Sequence, residues 1–198
     1  MDNLPEAVAQ ILNFWFDDPA TANSAYGKER RVWFYKDPAF DQRIRDQFMD
    51  VYKQARQGIY TEWMQTHRGA LALIVLLDQF SRNMFRGTPR SFEADTQALS
   101  VAQSAIAHGY DRALMPVERI FLYLPFEHSE NLEHQDQAVA LFEALIEIAP
   151  ELLSSLQYAY RHRDVIARFG RFPHRNGILG RTSTPAEIAF LKQPGSRF

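Results

Sequence analysis

The chain has 198 residues, a formal net charge of −2 and no cysteine. The length suits one domain or two very small ones; the near-neutral charge offers no basic field to draw in nucleic acid; and the absence of cysteine excludes disulfides, thiolate metal sites and a cysteine nucleophile. Hydrophobic residues at 46% against charged residues at 23% mark a globular rather than a disordered chain, and aromatic residues at 13% can bury a sizeable core.

The opening stretch MDNLPEAVAQILNFWFDDP carries neither a basic leader nor a small-residue cleavage site, so no signal peptide is expected and a cytoplasmic location is. Asn3 is placed to cap a first helix, with Pro5 in its first turn and Glu6 at the capping-box position. Leu4, Val8, Ile11, Leu12 and Trp15 recur at helical spacing, and Asp17-Asp18-Pro19 ends the run. Asp37-Pro38 starts a second helix with an apolar stripe of Phe40, Ile44, Phe48, Val51 and Ala55, closed by Gly58.

Thr66 can cap the next helix, which runs through LALIVLLDQF and is apolar on nearly all sides, as a central helix would be. Its aliphatic run, Ala70 to Leu77, is far short of the ~20 residues of a membrane span. Ser91 is read as the start of a helix ending at Gly109. Further helices are expected over Pro116 to Glu130, Leu132 to Ile148 and Glu151 to Phe169, with a short last one after Ser183-Thr184-Pro185. Strand alternation is absent and no Ser/Gly-rich linker divides the chain, so residues 1–198 read as one all-α domain.

Three segments combine polar groups with aromatic neighbours. In Asp78-Gln79-Phe80-Ser81-Arg82-Asn83, Asp78 and Arg82 lie one helical turn apart and should share a face, as an intrahelical ion pair or as the polar rim of a pocket. In Phe121 to Glu130, Pro125 should kink or divide the helix. Glu127, Glu130 and His134 would then line one face, a spacing that can hold a metal but that a solvated face explains equally well; no metal site and no cofactor are assigned. His128 and His174 are the proton-transfer candidates, with Glu127 or Glu130 to orient them.

The third segment is Arg168-Phe169-Gly170-Arg171-Phe172-Pro173-His174-Arg175-Asn176. Gly170 should end one helix and Pro173 open a short next one, whose free N–H groups and neighbouring arginines attract an anion. Asp78, Arg82, Asn83, Arg168, Arg171 and Arg175 thus form the candidate ligand-binding set. The bland reading is that the arginines pair with Asp78, Glu127 or Glu130 and only hold the fold together. Single-stranded nucleic acid is a poor fit to one such segment in a net-acidic chain.

The stretches ILNFWF, WFYKDPAFDQRIRDQF, RGALALIVLLDQFSRNMFRGTPRSFEAD, ERIFLYLPFEHSENLEHQ and RFGRFPHRNGILGRTSTPAEIAFL cover nearly the whole chain in order. Through them the sequence resembles the bacterial family called domain of unknown function 924. The resemblance implies an all-α array of antiparallel helix pairs, similar to tetratricopeptide-repeat proteins, and brings no catalytic or binding residue with it. Two functions follow from the residues: a site for a small acidic ligand, enzymatic or not, and a protein-interaction module using a groove between helices. Neither calls for a membrane.

Overall fold

The computed structural model describes residues 5–196, and all regular structure among them is helical. Helix α1 spans Glu6–Phe16 and α2 Pro38–Arg56. Helix α3 runs without a break through His67–Ile74, a π-helical stretch Val75–Phe80, and Ser81–Met84. Then come α4 (Asp95–Ala107), α5 (Pro116–Glu127), α6 (Leu132–Ile148), α7 (Leu153–Phe169) and α8 (Pro185–Leu191). Among the described residues no helix is long and apolar enough to cross a membrane.

Local chemistry accounts for most of these boundaries. The Asn3 cap and Leu4 lie outside the described residues; α1 begins at Glu6, directly after Pro5. It ends where Asp17 takes a positive φ of 76° and its carboxylate accepts the N–H groups of Asp18 (3.0 Å) and Ala25 (2.8 Å). Asp37 caps α2 by accepting from the N–H groups of Ala39 (2.9 Å) and Phe40 (3.1 Å). The buried stripe of α2 is Phe40, Ile44, Phe48, Tyr52 and Ala55, so the fourth place belongs to Tyr52 and not to the half-buried Val51. Tyr52 can go inside because its hydroxyl donates to Glu93 at 2.9 Å.

Helix α3 is the axis of the molecule. Every side chain from Leu71 to Phe80 is buried, and α1, α2, α4 and α5 pack around it. Its start depends on Gly69: a Cβ there would lie 2.2 Å from the Trp63 carbonyl oxygen. Thr66 Oγ1 accepts the Gly69 N–H at 3.1 Å. Around this axis, Trp15 meets the rings of Trp33, Phe40, Phe80 and Phe121 at centroid distances of 5.4 to 6.0 Å.

Two boundaries differ from expectation. Ser91 does not start α4, which begins at Asp95. Its hydroxyl instead donates back to the Thr88 carbonyl at 2.6 Å and closes a 3₁₀ turn, Pro89–Phe92. Pro125 does not divide α5, which continues to Glu127 and stops there rather than at Glu130. Pro125 has no N–H to donate, so the Phe121 carbonyl four residues back loses its usual helical partner, and α5 continues across that single missing bond. Asn131 then caps α6. The four-residue link between α5 and α6, and the short one between α6 and α7, join helices that pack along one another, so each pair runs antiparallel. Gly170, at φ 68°, ends α7 in the left-handed conformation.

Candidate functional site

The π-helical stretch of α3 carries Asp78, a fully buried carboxylate. Such stretches widen a helix locally and recur at functional sites. The Asp78 carbonyl accepts from Ser81 Oγ (3.0 Å) and from Arg82 Nη1 (2.9 Å). The Asp78 carboxylate receives Arg82 Nη1 at 3.1 Å, His128 Nδ1 at 2.7 Å and the Gln79 amide. Burial opposes its ionisation, but Arg82, His128 and these hydrogen bonds outweigh burial and hold the carboxyl well below the usual range.

Arg82 turns its fork to a second carboxylate, Asp95 at the start of α4, with bonds of 2.9 and 3.1 Å. His128 closes the end of α5. Burial, then the charge of Arg82, disfavour its protonation more than Asp78 favours it, so its proton affinity is lowered. A neutral ring donating Nδ1–H to Asp78 leaves Nε2 as an acceptor.

From Asp95 the cluster extends to the segment after α7. Arg175 Nη1 lies 3.5 Å from Asp95 Oδ2, and its guanidinium stacks over Phe92 (4.7 Å) and Phe172 (4.4 Å). Phe172 packs against both His162 (5.5 Å) and His174 (5.6 Å). Burial, then the charge of Arg175, push His174 down to about 3. His162 Nδ1 lies 2.9 Å from the Tyr158 carbonyl and 3.0 Å from Glu127 Oε1. Glu130 accepts from Arg181 at 2.6 and 2.9 Å and from the Phe172 N–H at 2.7 Å.

Over residues 11–195 the sequence matches the family described as bacterial protein of unknown function, DUF924. The chain belongs to this family. It is also similar to the solved structure of a protein of unknown function from Agrobacterium tumefaciens, at 39% identity and a TM-score of 0.81, covering 93% of this chain and 96% of that one. No curated protein matches it.

In this DUF924 chain, then, Asp78, Arg82, His128 and Arg175 come together, with Glu127, Glu130 and His174 adjoining. Asn83, Arg168 and Arg171 do not join them. Asn83 donates to Asp41 at 2.7 Å, which Arg86 also grips, tying α2 to α3. Arg171 is committed to Glu187 at 2.6 and 2.9 Å, not to a carboxylate of the cluster. Arg168 is exposed and lies over the rings of Phe169 and Phe190.

The anion expected at the Pro173 turn is the Glu130 carboxylate, which accepts the Phe172 N–H. The shared face of Glu127, Glu130 and His134 does not form. The helix ends at Glu127, and His134 belongs to α6, where its Nδ1 pairs with Ser129 Oγ at 2.9 Å.

Three members escape a sequence reading. Asp95 looks like an ordinary acid in the first turn of a helix. Arg181 sits in a loop. Only His162 leaves a signal, because it shares the buried face of α7 with Ala159, Val165 and Ile166.

Proposed function

We propose that this cluster is an active site in which His128 transfers a proton to or from a small polar molecule. The observation that carries the reading is the 2.7 Å bond between His128 Nδ1 and the buried Asp78 carboxylate. That bond selects the tautomer, orients the ring and stabilises the imidazolium that forms on proton uptake. His128, Arg82 and Asp95 keep side-chain exposures of 14, 19 and 21%, so the cluster is not sealed from solvent, which supports the reading. Among the described residues no hydroxyl hydrogen-bonds His128, which favours direct proton transfer over a covalent route through serine or threonine.

The test is a turnover screen over ester and phosphate-ester hydrolysis and over isomerisation of hydroxy and keto acids. For any reaction found, His128→Gln should lower kcat by about 10²–10⁴-fold while the chain stays folded. Turnover unchanged in His128→Gln would remove the histidine from the chemistry.

An interaction module remains the second reading. It is favoured by Phe34 and Tyr35, adjacent residues that are 60 and 63% exposed. It predicts that Phe34→Ser with Tyr35→Ser abolishes capture of a partner, whereas the active-site reading predicts no effect on turnover.

A further inference from the structure

Arg175 is buried, with 6% of its surface exposed, yet it is poorly satisfied. Its Nε is buried and meets no hydrogen-bond acceptor. Among the described residues the one acceptor within hydrogen-bond distance of its guanidinium is Asp95 Oδ2, at 3.5 Å, and the same oxygen is bonded more closely, at 3.1 Å, by Arg82. The contrast with its neighbours is sharp. Arg82, Arg171 and Arg181 each grip a carboxylate through two nitrogens or two oxygens at 2.6 to 3.1 Å. A desolvated guanidinium carries five donors and no acceptor, and leaving them unmatched is costly.

The two rings account for its position but not for its donors. Phe92 and Phe172 hold the flat of the guanidinium by cation–π contact, and such contact leaves the N–H edge unused. The group is therefore fixed as a plate whose Nε has no acceptor and whose Nη1 has one long contact. Asp95 is its loosest contact and the one that an incoming acceptor would displace.

We propose that Arg175 is the recognition residue for a small oxyanion, a carboxylate or phosphate group on the molecule whose proton His128 handles. This rests on the active-site reading above and names its substrate class. A planar fork fits two oxygens of one anionic group, and a neutral carbonyl would leave the buried charge unpaired. Arg175 is joined to Arg82 through Asp95, and Arg82 to His128 through Asp78, so the anion-binding fork and the histidine belong to one bonded cluster. Near-complete burial of Arg175 admits a small ligand and not a polymer chain.

The experiment is an NMR titration of the Arg175 Nε–H resonance in the full chain, assigned by its loss in Arg175→Lys. The titrants are inorganic phosphate and succinate, with sodium chloride at matched ionic strength as the control. The expected result is a saturable shift with phosphate, with succinate or with both, which also identifies the oxyanion, and binding weakened at least about tenfold in Arg175→Lys. A resonance that follows only the chloride control overturns the proposal. Should Arg175→Lys not fold, the wild-type titration decides alone, with assignment from backbone connectivity. The same titration on His128→Gln separates the two readings. Anion binding retained there, with turnover also unaffected, defeats proton transfer at His128 and leaves the anion site standing. No anion shift in the wild type, with turnover lost in His128→Gln, defeats the anion site alone.

Discussion

Asp78→Ala is expected to destabilise the chain by about 3–5 kcal/mol, the range for removing one partner of a buried ion pair. The carboxylate is fully buried and receives Arg82, His128 and Gln79 together. Its removal leaves a small void on the central helix and takes from His128 its hydrogen-bond acceptor. Arg82 keeps Asp95, which limits the loss. Urea denaturation of the variant against the wild type measures it. A change below about 1 kcal/mol, the scale of an exposed ion pair, would mean that Asp78 is not the buried hub of the cluster.

Stability is expected to fall as the pH drops below about 6.5, before ordinary carboxylates titrate. His174 is held down to about 3 by burial and by Arg175, and His128 is lowered in the same direction. An unfolded histidine takes up its proton near 6.5. Between 6.5 and the folded values the unfolded chain therefore binds more protons, and stability is lost with acidification by up to about 1.4 kcal/mol per pH unit for each such histidine. Below about pH 4 the sign is the same for a second reason. Asp78, Glu130 and Glu187 have depressed values, that of Glu187 down to about 2, so their contribution is complete above the unfolded carboxylate range and is lost as pH falls through it. Urea midpoints at pH 7, 6 and 5 test the histidine part. His174→Gln should flatten the dependence in that window, and a wild-type midpoint constant from pH 7 to 5 would contradict the account.

The helices were legible because their signals are local. Asp37-Pro38 before α2, Thr66 before α3 and Thr184-Pro185 before α8 are caps whose partners lie within three residues, and the apolar run of α3 announces its own burial. Ser91 misled because a serine that bonds back to Thr88 closes a turn as readily as it caps a helix. Pro125 does not divide its helix because a missing N–H removes one hydrogen bond to the preceding turn and does not by itself end a helix.

The site was legible in its composition and not in its pairings. Asp78 and His128 stand out as polar groups beside aromatic runs, but a bond across fifty positions is a property of packing. Arg171 looked like a partner for the core carboxylates. Its partner is Glu187, a residue whose place in the sequence already gives it a local task, capping α8 through the Thr184 N–H. Asp95 is the counterpart case: a first-turn acid that packing makes the bridge between Arg82 and Arg175.

The resting state of His128, from which it takes up a proton, has the proton on Nδ1 toward Asp78 and Nε2 unprotonated, because burial and Arg82 lower its proton affinity. Long-range ¹H–¹⁵N correlation of the histidine rings at pH 7 reads that state directly, with His128 assigned by its absence in His128→Gln. The account predicts a neutral His128 in the Nδ1–H tautomer, with an Nε2 resonance typical of an unprotonated nitrogen. A ring protonated on both nitrogens, or the opposite tautomer with its proton on Nε2, would contradict it.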